Sequence, residues 1–329
     1  VSGQAAGPGP ERDLDLLVVG ELNPDIIVVD PDPTPVFGQV EKVVAAIRLE
    51  IGSSSAIMAC GAARLGLSVG FLGVIGDDEL GRFMLRALAE RGIDVGRCLV
   101  DPAIPTGATV ILSSGADRAI LTAMGTIDRL RGPDVPDDLL ARARHLHLGS
   151  TALIGAERAG LAAVLTRARS LGLSTSFDPN WDPDERWEGT DALLAAADVA
   201  LPNAAEARLV AGVDDPLGAA QELARRGAQG RAAGAPALTV AMKLGAEGGL
   251  AVKGERVVRR AAPSVGVVDT TGAGDSFDAG FVAGHVSGWP IEESLALAVA
   301  CGSLSTRGVG GTSAQPTLEE AVALLREPG

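Results

Sequence analysis

Along the chain the apolar positions change period several times, and each change marks an element. Residues 14–20 form an apolar run interrupted by Asp15 alone, the pattern of a strand buried on both faces. After the polar turn Glu21-Leu22-Asn23-Pro24-Asp25, a second apolar run occupies residues 26–29. Residues 53–65 and 78–91 switch to helical spacing; each stretch opens beside a capping side chain and closes at a glycine, Gly66 and Gly92. From His145 onward the two periods alternate, with strands at residues 145–148, 173–177 and 199–201 and helices at 156–171 and 191–197. Such alternation predicts an α/β fold, a mostly parallel sheet flanked by helices. Residues 106–127 break the rhythm: β-branched runs parted by Ser113-Ser114-Gly115-Ala116-Asp117 predict a hairpin. With the Val-, Ile- and Pro-rich stretch 28–50, that hairpin could form a small sheet over one end of the main one. Farther on, residues 265–268 predict a strand running into a helix marked by Phe277, Phe281 and His285, and residues 291–305 predict a further apolar helix.

Composition sharpens this picture. With 329 residues, 47% of them hydrophobic and 21% charged, the chain can bury a large α/β core. Residues 1–13 carry neither the basic cap nor the apolar core of a signal peptide and predict a flexible tail, leaving 14–329 as one domain. The balance of 28 basic and 42 acidic residues gives −14, and no basic cluster interrupts it, which argues against nucleic acid as a partner. No apolar stretch has the length of a membrane span; residues 295–304 are short and broken by Gly302 and Ser303. Cys60, Cys98 and Cys301 lie far apart without metal-type spacing, as small buried side chains of a cytoplasmic protein would. His145 and His147 share a strand face with no carboxylate or cysteine at ligand spacing, and they read as structural, as does His285.

The densest chemistry lies in Val268-Asp269-Thr270-Thr271-Gly272-Ala273-Gly274-Asp275-Ser276-Phe277. Small residues at a helix start leave unpaired amides open to an anion, and the helix dipole adds to their pull. An acidic side chain in that turn would repel the anion. Asp275 therefore suggests a second task, taking a proton from a hydroxyl that attacks a phosphate.

Here the chain resembles the ribokinase-like (PfkB) family of sugar and nucleoside kinases, whose signature D-T-x-G-A-G-D-x-F is matched throughout by Asp269 to Phe277. The resemblance implies a three-layer α/β/α fold with a small β-sheet lid, at about residues 28–50 and 104–128, over the sugar. It implies ATP and Mg²⁺ as partners in phosphorylating a hydroxymethyl group, with the turn Gly272-Ala273-Gly274-Asp275 as the anion hole, the γ-phosphate at the Ala273, Gly274 and Asp275 amides, and Asp275 as base. Asp25 and Asn23 fall where the family holds sugar hydroxyls, although Asp25 also suits a turn after Pro24. Gly52-Ser53-Ser54-Ser55-Ala56-Ile57 matches the family's N-terminal signature in part: Gly52, Ala56 and Ala59 fit, Ser53 replaces a glycine, and Ile57 stands where an Asn commonly contacts sugar. Ser53 and Ser54 could replace that contact or simply cap the helix.

On the nucleotide side the resemblance points to Asn180, Asn203, Lys243, Gly245, Gly248 and Gly302. Asn203 and Glu206, spaced as N-x-x-E, would organise Mg²⁺ through water or form a capping box. Lys243 could reach a phosphate as a point charge. The Asp269 carboxylate and the Thr271 carbonyl are the family's candidate ligands for K⁺. No G-x-x-x-x-G-K-[ST] loop is present. A sugar is the expected substrate; a nucleoside kinase and a non-catalytic sugar-binding regulator are the alternatives, and the lid strands suggest a homodimer.

Overall fold

Residue 12 opens the computed structural model, which describes residues 12–114, 117–154, 158–231 and 234–326. In chain order β1 (Leu14–Val19), β2 (Pro24–Val29) and β3 (Ala46–Ile51) lead to α1 (Ser54–Arg64), β4 (Val69–Leu72), β5 (Val74–Gly76), α2 (Glu79–Ala89) and β6 (Leu99–Asp101). Next come β7 (Ala108–Ser114), β8 (Asp117–Ala123), α3 (Asp137–Ala141), β9 (Ala143–Leu148), α4 (Arg158–Ser170), β10 (Ser174–Phe177), α5 (Thr190–Ala196) and β11 (Val199–Ala200). The last third holds α6 (Ala204–Ala211), α7 (Pro216–Gln229), β12 (Thr239–Lys243), β13 (Gly249–Lys253), β14 (Arg256–Arg260), α8 (Ala273–Val286), α9 (Ile291–Ser305) and α10 (Leu318–Arg326).

Eight strands form the main sheet in the order β14-β13-β12-β11-β10-β9-β1-β4. Pairing is parallel from β4 to β12, while β13 and β14 add an antiparallel edge. Why β1 is apolar at every position but Asp15 is visible in its packing. Leu17 and Val19 point to one face, into a core with Leu146, Leu148, Leu161 and Leu165; Leu16 and Val18 point to the other, with Met58, Phe277, Phe281 and Leu304. Helices α3 to α7 cover the first face and α1, α2, α8, α9 and α10 the second. Each fully buried leucine contributes on the order of 2 kcal/mol by leaving water.

One polar seam crosses the second core. His145 bonds Ser174 and Ser176 through its two ring nitrogens, both at 2.7 Å, and His147 Nδ1 meets Ser176 at 2.8 Å. The His145 ring stacks edge-on against His285 of α8 at 5.6 Å. Burial keeps all three imidazoles neutral, driving His145 well below its usual range and His147 down to about 4. The unfolded chain takes up these protons as pH falls through about 6.5, whereas the folded chain does not until lower pH. Stability is therefore complete above about pH 6.5 and declines below it, by about 1.4 kcal/mol per pH unit for each histidine. Urea unfolding at pH 7 and pH 5 should show this loss, and His147→Gln should reduce its slope. An unaltered slope would mean that His147 already titrates normally in the fold.

A second sheet, in the order β3-β2-β7-β8, is built from the segments expected over the main sheet's end. Its register places Asp25 beside Glu50 and Thr109, Ile27 beside Arg48 and Ile111, and Thr109 beside Thr122, all on one face. Ile27 and Ile111 are buried on that face, while Ile47 and Leu121 on the other are 66% and 61% exposed. Gly115 and Ala116 of the expected hairpin turn, Ala156 of the expected helix start, and residues 1–11 of the expected tail lie outside the described residues.

The expected strand at residues 265–268 does not form. Its valines look like strand residues, but the backbone there hydrogen-bonds the end of α9 in place of a neighbouring strand. Val267 and Val268 are accordingly exposed, and the amides of Val268 and Asp269 both donate to the Thr306 carbonyl. The three cysteines are free. Among the described residues no helix is long and apolar enough to cross a membrane.

Candidate active site

Parallel strands deliver their carboxyl ends to one edge, and the polar residues after β1, β9, β10, β11 and β12 gather there with the amino ends of α1 and α8. Gly272 caps α8 with a left-handed φ of 73°, and a Cβ on it would lie 2.6 Å from Gly311 Cα. No other residue fits both demands. The Ala273 amide turns back to the Thr270 carbonyl at 3.2 Å. Of the three amides expected to line the hole, Gly274 and Asp275 are thus the first-turn donors left without an intrahelical acceptor.

Asp275 sits in this turn, partly accessible. Burial, with Asp178 and Glu21 nearby, pushes its pKa up to about 8, against the pull of Lys243 and a hydrogen bond with Ser54. The Ser54 hydroxyl also accepts from Asn180 Nδ2 at 3.1 Å. Ser54, expected on the sugar, thus lies against the candidate base. Ser53 acts as the cap that was its alternative: its hydroxyl accepts from the Ala56 amide at 3.0 Å and donates to the Glu21 carbonyl at 2.6 Å. Ser55 hydrogen-bonds the Glu21 carboxylate.

Lys243 was expected to reach a phosphate as a point charge. Instead its ammonium is bonded to Asp178 at 3.0 Å and Asp278 at 2.9 Å, all three side chains being nearly inaccessible. Burial works against the charge on Lys243, but the two carboxylates outweigh it and hold the amine protonated. Burial likewise opposes ionisation of Asp178, and Lys243 overcomes it; Asp278, with Oδ1 unpaired, is driven well above the usual range. The lysine stem passes under the anion turn, where a Cβ on Gly274 would come within 3.3 Å of Lys243 Cδ. Lys243 therefore pins β10, β12 and the first turns of α8 together.

On the small-sheet side, Asp25 and Gly52 touch: a Cβ on Gly52 would lie 2.2 Å from Asp25 Oδ1. Asn23 Nδ2 reaches Thr109 Oγ1 at 3.5 Å. Ile57, at the position where an Asn contacts sugar in the resembled family, is buried at 3% and packs against Gly272 and Gly311. It fills a joint between helices instead of lining a pocket, so its apolar character is no argument for a nucleoside. Gly310 lies beside Ile27 and Glu50 of the small sheet, and its amide donates to Asp269 Oδ2 at 2.8 Å.

Asn203 and Glu206 form the reciprocal capping box of α6: the Glu206 carboxylate accepts from Asn203 N at 2.8 Å and Nδ2 at 2.5 Å, and Asn203 Oδ1 accepts from Glu206 N at 2.9 Å. Burial, followed by Asp178, raises Glu206 to about 7. Among the nucleotide-side glycines, Gly245 turns the chain after β12, and Gly248 needs its φ of 97° because the Arg260 carbonyl passes where a Cβ would be. Gly302 admits the Ala273 carbonyl against α9, at 3.0 Å from where its Cβ would stand. Asp269 accepts from Thr271 N and Oγ1, at 2.9 and 2.8 Å.

The profile of the pfkB family of carbohydrate kinases matches residues 13–318. The chain belongs to this family. The kinase is 29% identical over 331 residues to the 5-dehydro-2-deoxygluconokinase of Geobacillus kaustophilus, covering 96% of its own length and 95% of the relative's. Against the fructokinase of Klebsiella pneumoniae the figures are 34% over 281 residues, 80% and 88%. The solved ribokinase of Arabidopsis thaliana, complexed with ribose and ATP, shares the fold at a TM-score of 0.80 with 24% identity, covering 96% of the kinase and 99% of that chain. The kinase also brings to the site residues that motif reading passed over: Glu21, Ser150, Asp178 and Asp278. Asp178 and Glu21 each follow a predicted strand and Asp278 stands one helical turn beyond Asp275, so their placement was available from spacing. Ser150, two residues past the predicted strand at 145–148, carried the same signal.

Proposed function

We propose that this sugar kinase transfers the γ-phosphoryl group of ATP to a hydroxymethyl group of a sugar or sugar-like alcohol. The observation that carries the reading is the half-buried Asp275 carboxylate in the same helix turn as the unpaired Gly274 and Asp275 amides. In this reading Asp25, supported by Asn23, holds sugar hydroxyls on the inner face of the small sheet. Asp275 takes the proton of the attacking hydroxyl, whose oxygen forms its bond to the γ-phosphorus as the bond to the bridging oxygen of ADP breaks. The Gly274 and Asp275 amides meet charge on the transferring group, and the small sheet excludes water from it.

Mg²⁺ would offset charge on the nucleotide phosphates. Asn203 and Glu206 supply one carboxylate and one amide, a donor set that suits an ion keeping most of its ligands as water and phosphate oxygen. Asp269, whose oxygens accept from Thr271 and Gly310, is the carboxylate that would hold K⁺, and no step is routed through that ion. A coupled ADP assay over ketohexoses, ribose, 2-keto-3-deoxygluconate and adenosine tests the reading. Turnover of a sugar with adenosine inert is the expected result; turnover of adenosine alone would overturn it. We assign the outer face of the small sheet, bearing Ile47 and Leu121, to a second copy of the chain, because uncovered apolar area on a sheet invites self-association. Sedimentation should give a dimer that Ile47→Lys dissociates, and a monomer at micromolar concentration would refute the assignment.

A further inference from the structure

The register of the small sheet sets one polar row across all four of its strands. Glu50 of β3, Asp25 of β2, Thr109 of β7 and Thr122 of β8 are successive cross-strand neighbours, so their side chains stand on one face about 5 Å apart. That face is the inner one. A Cβ on Gly310, in the loop tethered to Asp269, would lie 3.7 Å from Glu50 Cγ and 3.9 Å from Ile27 Cδ1, and a Cβ on Gly52 would strike Asp25. The next row outward is Arg48, Ile27, Ile111 and Ile120, apolar at three of its four places.

Two features set the polar row apart from ordinary strand surface. Asp25 and Glu50 are like charges directly opposite each other, an arrangement that by itself destabilises a sheet. Glu50 has neither an ion pair nor a hydrogen bond among the described residues, and Arg48, the cation on its own strand, stands one row away and pairs with nothing there either. The hydroxyls at the other end are already ordered. Asn23 Nδ2 meets Thr109 Oγ1 at 3.5 Å, and Thr109 Oγ1 lies 3.2 Å from Thr122 Oγ1. Asn23, Asp25 and Thr109 are all buried, which holds the middle of the row in one arrangement.

We propose that Glu50, Thr109 and Thr122 are specificity residues for the acceptor sugar, completing with Asp25 a row that takes its consecutive hydroxyl groups. This role rests on the reading of Asp25 as a sugar-holding residue. Ionised carboxylates only accept, so the two on β2 and β3 call for several O–H donors close together, whereas the threonine pair both accepts and donates. A ligand turning a carboxylate or phosphate toward β3 would meet two like charges. The class that fits is a polyhydroxy sugar whose hydroxyls, and not an anionic group, lie along the row.

The test uses the full chain with whichever sugar the coupled assay identifies and with its monodeoxy derivatives. Glu50→Gln should raise KM for the sugar about tenfold or more, the loss of a hydrogen bond to a charged acceptor, while kcat and KM for ATP stay within about twofold. Thr109→Val and Thr122→Val keep the side-chain shape and should each raise KM for the sugar about threefold or more. One monodeoxy sugar should bind wild type more weakly by the factor that Glu50→Gln costs, and should lose nothing further in that variant, a coupling that damage to the sheet would not produce. Arg48→Gln should leave KM for the sugar within about twofold. A wild-type KM in Glu50→Gln, or equal penalties for every deoxy sugar in both enzymes, would overturn the assignment. So would a raised KM in Arg48→Gln in place of Glu50→Gln, which would put an anionic group on the outer row. If Glu50→Gln does not fold, Thr109→Val supplies the same comparison from the middle of the row. Asp25→Asn separates the two levels: a raised KM there beside an unaltered Glu50→Gln removes the row alone, and an unaltered KM in both removes the reading of Asp25.

Discussion

Replacing Asp275 by Asn is expected to lower kcat by about 10² to 10⁴, the range for loss of a positioned general base, with ATP affinity nearly unchanged. Asparagine keeps the shape of the side chain and leaves the Gly274 and Asp275 amides in place, so the anion turn survives. What disappears is the proton acceptor. The pH dependence carries the same assignment. Burial and the neighbouring carboxyls raise Asp275 to about 8, so the resting enzyme holds the proton at neutral pH. kcat/KM, which reports the free enzyme, should climb with pH until about 8 and then level, and Asp275→Asn should abolish that rise. A variant that kept most of its turnover, or kept the rise, would show that another group takes the proton.

The second large effect is expected at Lys243. Lys243→Met preserves most of the apolar stem beneath Gly274 but removes the ammonium that Asp178 and Asp278 share. Deleting one partner of a buried ion group typically costs about 3 to 5 kcal/mol, because the remaining charge has no water to turn to. The denaturation midpoint in urea should fall accordingly. Adding Asp278→Asn to Lys243→Met should recover part of the loss, since it removes one of the stranded carboxyls. If Lys243→Met unfolded at the wild-type midpoint, the triad would contribute nothing to stability and the joining of β10, β12 and α8 would rest on apolar packing alone. Catalysis should suffer as well, because the lysine stem and Asp278 fix the turn that carries both amides and base.

How much of this could be read from the residues varies with the physics of each feature. The parallel core was legible because β1, buried on both faces from Leu16 to Val19, needs apolar residues at consecutive positions there, and no solvent-facing alternation blurs the signal. The same logic failed at residues 265–268, where the valines are exposed and the amides of Val268 and Asp269 go to the Thr306 carbonyl; a strand needs a partner, and local pattern does not report one. The Asp269 to Phe277 turn was readable because its glycines, amides and carboxylate are consecutive. The partners of Lys243 were illegible for the opposite reason. Its two counter-charges come from residues 65 positions earlier and 35 later, and only the fold brings them within 3 Å. Ile57 looked like a lost sugar contact because spacing located it at a helix start without revealing that Gly272 and Gly311 would close over it.

Those two glycines also tie distant parts of the molecule into one mechanical unit. Gly311 fills the space against Gly272 at the mouth of α8, while its neighbour Gly310 rests on Ile27 and Glu50 of the small sheet and is tethered to Asp269. Closely packed joints of this kind have few intermediate positions. A shift of the sheet that bears Asp25 is therefore transmitted through two residues of backbone to the turn that bears Asp275. In the proposed reading, the acceptor's pocket and the phosphate's cradle are therefore joined through those two residues and adjust together.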